Sequence, residues 1–186
     1  MLGTFNSGLS IVPYIEEKLE EYALYLDRHR IMVLNYKIAM LYFGNGDYSI
    51  SIDYLQRIIN NNADLRIDLQ CYARLVHLMA HFEIGSFEIM EHLIKSVYRF
   101  MAKMQNLTII EEEMFKFLRR SFKVSRKKLQ PEFKIFLDAI KQHEKSRFET
   151  RSFAYLDIIS WVESKIYGKT MGEIIKEKNL ANRRLN

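Results

Sequence analysis

IAMLYFGNGDYSISIDYLQRII, residues 38–59, decides the fold. Apolar residues recur at helical spacing on both sides of Gly46-Asp47-Tyr48, so the stretch describes two helices folded back on one another. Gly44-Asn45-Gly46-Asp47 closes the first of them, and a glycine there can adopt the left-handed conformation that ends a helix. The plan recurs over residues 76–98, VHLMAHFEIGSFEIMEHLIKSVY, turning on Gly85-Ser86-Phe87. Repeated helix pairs predict a stack in which each pair buries its apolar face on its neighbours.

The rest of the chain agrees. Of 186 residues 48% are apolar, enough for a sizeable core, and only 7 Gly and 2 Pro interrupt the helical periodicity. No run of about 18 uninterrupted apolar residues exists, so no membrane span is predicted. The first residues, MLGTFNSGLSIVPYIEE, lack the basic region and long apolar stretch of a secretory signal. The single cysteine, Cys71, allows no internal disulfide and sits on an apolar helix beside Tyr72 and Leu75, where it reads as a small hydrophobe. A cytoplasmic location follows as an expectation. Charge is unevenly spread. Residues 1–93 hold 7 Lys/Arg against 12 Asp/Glu, and residues 94–186 hold 21 against 11. A basic half of this kind suits an acidic partner, a nucleic acid, or the acidic half of another copy.

Read along the chain, a first helix starts near Pro13 and runs to about Arg30, with Leu19, Tyr22, Ala23 and Leu26 as its apolar stripe. Further helices are predicted over 31–43, 48–60, from Asp64 or Asp68 to Ile84, and over 86–104. Thr108 and Glu111 form a capping box opening a sixth helix. Ser125 or Pro131 starts a seventh. An eighth spans 149–166. Thr170 and Glu173 make a second capping box before a short helix, after which the tail LANRRLN is expected to fray. No Gly/Ser- or Pro-rich linker divides the chain, so one helical-repeat domain is expected over 1–186. It comprises a best repeat at 31–60, a degenerate one at 66–104, and non-repeating helices at 107–178 that can cap the C-terminal end.

The stretch 35–59 resembles a tetratricopeptide repeat. Ala39 stands at the family's small position on the first helix, Tyr42 at the aromatic position after it, and Gly46-Asp47-Tyr48 at its Gly-Asp-Tyr turn. Ser51 replaces the small Ala of the second helix, with Tyr54 and Leu55 at its aromatic and apolar positions. Departures are Asn35 at the usual Trp, Ile58 at a small position, and Met90 for Ala in the second unit. The two turns are also 39 residues apart, against a family period of about 34. The chain as a whole resembles the C-terminal part of longer, mostly uncharacterised bacterial repeat proteins, which would make its N-terminal edge an interface in the parent. The resemblance implies an all-α, right-handed stack of antiparallel helix hairpins, about nine helices, that binds a protein or peptide. In such stacks the first helix of each pair lines the binding surface. Polar residues there, Asn35, Lys37, Arg74 and His77, are the expected contacts.

Other constellations are weaker. His77 and His81 lie one helical turn apart, as zinc ligands do, but only Glu88 and His92 offer a third ligand, and Leu78 replaces the general base of HExxH. A packing role is expected, with no metal or cofactor. Lys116, Arg119, Arg120, Lys123, Arg126, Lys127 and Lys128 are interleaved with Phe115, Phe117, Leu118, Phe122 and Val124 and with no acid. Such a run serves either as a polyanion patch or as a helix C-terminus, where cations are favoured. Trp161 joins an apolar stripe with Ile158, Ile159 and Val162 and reads as core. No GxSxG, phosphate-loop or acidic metal motif occurs. The function expected is therefore a non-catalytic interaction module or scaffold; the alternative is polyanion or nucleic-acid binding through the basic half.

Overall fold

The structure, a computed structural model, describes residues 4–22, 24–60, 66–125, 128–144 and 155–185. Every regular element among them is helical: nine helices of ten residues or more and one of five. In chain order these are α1 Phe5–Leu9, α2 Val12–Glu21, α3 Arg28–Asn45, α4 Tyr48–Ile59 and α5 Ile67–Ile84, then α6 Phe87–Lys103, α7 Ile109–Ser121, α8 Leu129–Lys141, α9 Ile158–Tyr167 and α10 Met171–Leu185.

Local chemistry sets these boundaries. Asp27 caps α3, accepting the Arg30 N–H at 2.8 Å. This overturns the expectation of one helix from Pro13 to Arg30: the chain breaks after Glu21, and Arg28–Arg30 open the next helix. At Gly46, φ is +95°, its N–H reaches the Phe43 carbonyl at 3.1 Å, and the Asp47 N–H reaches that of Tyr42 at 2.9 Å. This left-handed stop satisfies carbonyls that the helix end leaves open. Gly85 repeats it between α5 and α6. Both capping boxes form, Thr108 with Glu111 and Thr170 with Glu173. Three further expectations are corrected. Ser125 is not the N-cap of α8, which follows Lys128 and starts at Leu129. Asp157, accepting the Ser160 N–H at 2.9 Å, begins α9 well inside the predicted 149–166 span, whose residues 149–154 lie outside the described ones. The C-terminal tail is helical to Leu185 rather than frayed.

Each of the helices from α3 to α10 packs on the next. Where α3 crosses α4 the backbones approach closely because the residues there are small. Ala39 and Ser51 are fully buried, and the Ser51 hydroxyl donates to the Ala39 carbonyl at 2.9 Å. Beside them Tyr42 stacks on Tyr54 with ring centroids 5.6 Å apart. α5 is buried on all sides, as its broad apolar arc predicts.

The C-terminal helices fold back. Trp161 on α9 is buried among Phe82, Phe117 and Phe133, and its indole N–H donates to Glu83 on α5. Lys165 completes that contact with a 2.7 Å ion pair to Glu83. Glu163, buried on the other side of α9, accepts from Lys141 of α8 and Lys178 of α10, each at 2.8 Å. Burial raises the pKa of Glu163, but these two lysines outweigh it and hold the carboxyl below its usual range. Finally, α10 packs on α3, the first long helix, so the line of helices closes on itself. Trp161 thus has the core role predicted for it.

At the other end, α1 lies against α3 because two glycines make room. A Cβ on Gly44 would overlap the Phe5 ring, and one on Gly8 would sit 2.7 Å from Leu41. Gly44 is helical and serves packing, not the turn assigned to it from sequence. α2 is tied to α4 through Glu16, which accepts the Tyr54 hydroxyl and lies 3.5 Å from Arg57.

Candidate ligand cavity on the first long helix

The residues expected to line a binding surface divide sharply. Asn35 is buried and its amide donates to the Ile31 carbonyl of its own helix at 3.0 Å. Arg74 is half-buried, its guanidinium 3.7 Å from the centre of the Phe100 ring and bonded to the carbonyls of Ile59 and Gln70. His77 is buried, its ring 4.5 Å from that of His81. These three are therefore not the exposed contacts expected of them: Asn35 bonds back to its own helix α3, and α5 is enclosed by neighbours so that Arg74 and His77 are spent on packing. Lys37 alone of the four is exposed.

Lys37 stands at a cavity of about 630 Å³, within the range typical of small-ligand sites. α3 forms its floor through Val33, Leu34, Tyr36, Ile38, Met40 and Leu41, which the helical period gathers on one broad face. Thr4 and Phe5 at α1 and Ile15 of α2 wall one side; Arg66, Leu69 and Tyr155 complete it.

The Arg66–Tyr155 side is held by a polar cluster. Arg66 caps α5 in the left-handed conformation (φ +50°), which a side chain with a Cβ adopts only at a cost. Two hydrogen bonds to Asp68, at 3.1 and 3.0 Å, and one to the Tyr155 hydroxyl at 3.2 Å fix it there. The Tyr155 hydroxyl in turn donates to Asp68. Burial acts to raise the Asp68 pKa, but hydrogen bonds from Arg66, Tyr155 and the Leu69 N–H outweigh it and keep the carboxyl well below the usual range. The Tyr155 ring stacks on Tyr72 at 4.5 Å, and its carbonyl accepts the Tyr36 hydroxyl at 3.0 Å. Burial, with Tyr72 and Tyr155 adding to it, pushes the Tyr36 phenol above its ordinary value. Sequence reading missed Arg66 and Tyr155. They are 89 residues apart and meet only because the chain returns on itself; no local pattern announces that.

The other candidates are placed as follows. Burial, then His81 and Arg74, push the His77 pKa down to about 4. The Nε2 of His77 and Nδ1 of His81 are buried without a hydrogen-bond partner among the described residues. His92 and Glu88 are exposed on α6, and no group of three potential metal ligands gathers among the described residues. Cys71 is buried, and burial first of all raises its thiol to about 11, which suits a packing residue. In the basic run, Lys116 pairs with Glu113 at 2.7 Å, Arg120 with Glu132 at 2.9 Å, and Arg119 lies over the Tyr98 ring at 4.9 Å. Lys123 lies over Phe122, and Lys128 is exposed. Arg126 and Lys127 lie outside the described residues. Phe115, Phe117 and Leu118 are buried in the core, so they are not a platform for bases. Among the described residues no helix is long and apolar enough to cross a membrane.

No family model matches the chain, and neither a curated protein nor a solved structure matches it.

Proposed function

We propose that the chain is a non-catalytic, tetratricopeptide-like interaction module that binds a segment of a partner protein in the cavity on α3. One observation carries this reading: the cavity is large and apolar, and it opens on the first helix of the best repeat. The face of α5 that would continue such a surface is covered by Tyr155 and by Trp161 and Lys165 of α9, which concentrates the site at one place. The groups around the cavity also suit holding a ligand. Two are cations, Lys37 and Arg66, and two are phenols, Tyr36 and Tyr155, both raised above their ordinary values. Neither phenol is poised to exchange a proton near neutral pH. The basic run supports polyanion binding less well, since Lys116, Arg119 and Arg120 are engaged within the chain.

A site-specific photo-crosslinker tests the proposal. Benzoylphenylalanine at Leu34 is expected to capture one partner protein, and the same group at the exposed Ile135 of α8 is not. Equal capture from both positions, or capture from Ile135 alone, would overturn the reading.

A further inference from the structure

Of the described side chains lining the cavity only Lys37 and Arg66 carry charge, and both are cations. They are not equivalent. Arg66 is neutralised by Asp68, 3.0 Å away, and locked by Tyr155. Lys37 has no carboxylate within ion-pair distance among the described residues; Glu16, next to the lining Ile15, is engaged by Tyr54 and Arg57. The Tyr36 hydroxyl is spent on the Tyr155 carbonyl. The cavity thus offers a broad apolar floor and one uncommitted cation at its edge. A positive ligand would meet the like charge of Lys37 there. A carboxylate beside Lys37 would form a charge-assisted hydrogen bond next to an apolar wall, where the attraction is stronger than in open water.

We propose that the cavity takes an acidic segment of a partner chain with an apolar anchor. One bulky apolar side chain is buried against Val33, Leu41 and Leu69, and an Asp or Glu flanking it is held by Lys37. This rests on the binding-module reading above and adds the chemistry of the partner. The arrangement on the Arg66 side supports it. A strained cap pinned by three hydrogen bonds makes a fixed wall, so the anchor enters a site that is already formed.

The probe is a library of random dodecapeptides displayed on phage, panned against the full chain. Selected sequences are then synthesised with a fluorophore and measured by fluorescence polarisation against the wild type, Lys37→Glu and Val33→Trp. Val33→Trp fills the cavity; Lys37→Glu reverses a surface charge and leaves the core alone, so it reports even if Val33→Trp fails to fold. The expected result is enrichment of peptides with Asp or Glu beside Phe, Leu or Trp. These should weaken at least about tenfold on Lys37→Glu and fall to background on Val33→Trp. Peptides that are lost on Val33→Trp but indifferent to Lys37→Glu would overturn the acidic-segment inference and leave the binding-module reading standing. Peptides that bind both variants as they bind the wild type would overturn both. Sodium dodecanoate is the control for chemistry without a peptide: if it binds the cavity and no peptide does, the ligand is a small anionic amphiphile and the proposal fails.

Discussion

At His77, burial, the neighbouring His81 ring and Arg74 act together to push the imidazole pKa down to about 4, against about 6.5 in an unfolded chain. The folded state therefore binds fewer protons than the unfolded state between those values. The resulting stability is complete above about pH 6.5 and is lost as the pH falls toward 4. It amounts to roughly 3 kcal/mol. His77→Gln should flatten the dependence of unfolding free energy on pH between 7 and 4.5, followed by urea titration at each pH; an unchanged slope would count against this account. Gln105 gives a prediction of opposite sign. It ends α6 with φ +51°, and the Asn106 N–H reaches the Met101 carbonyl at 3.0 Å, the same stop that Gly46 and Gly85 make. Gln105→Gly should raise stability by about 0.5–1 kcal/mol, read as a higher melting temperature. At this scale the sequence was a partial guide to the site. Lys37, expected from its place on α3, lines the cavity. Asn35 and His77 were not separable from it, because neither the bond of Asn35 to its own helix nor the enclosure of α5 around His77 leaves a mark in the local pattern.

The helix pairs owe their turns to residues that could be recognised beforehand. Gly46 and Gly85 have the positive φ that the turn requires, and Thr108 and Thr170 form the capping boxes expected of them. The breaks that reading missed depend on single side chains. Asp27 ends the run of helical periodicity after Pro13, and Asp157 starts α9. Both are short acidic residues whose capping role competes with a continuous helix and is visible only once the backbone has chosen. The seat of α1 was also out of reach, since it depends on a ring thirty-nine residues earlier than the glycine it covers. It can be tested. Gly44→Ala should cost about 1–3 kcal/mol by forcing Phe5 out of its place. With Phe5→Ala already present the same change should cost little, a non-additivity that a double-mutant cycle measures. Gly46→Ala, which meets no neighbour, should lose only about 1 kcal/mol from its positive φ, whatever stands at position 5.

For the whole molecule the decisive contacts are those of the returning C-terminal helices. Trp161 bridges α5, α7 and α8, and Glu163 and Lys165 bind α9 to helices on either side. Removal of that ring should therefore be felt throughout: Trp161→Ala is expected to cost about 3–5 kcal/mol. In the wild type, Trp161 fluorescence and far-UV circular dichroism should trace one coincident urea transition. A fluorescence midpoint well below that of the helix signal would show that the C-terminal helices leave the rest before it unfolds. The all-helical architecture was legible because periodicity, turn glycines and caps are local. The return of the last helices was not, because it is decided by contacts such as Tyr36–Tyr155, 119 residues apart. That return has a further consequence. An open array can lengthen its grip by adding units, and each added unit contributes another weak contact to the same strand. Here α10 packs on α3, so the described helices close on themselves and do not run on as an open row. For the proposed function this means that tight binding at the α3 cavity comes from how well a single short stretch is shaped and charged for one place, or from two copies tethered to the same partner.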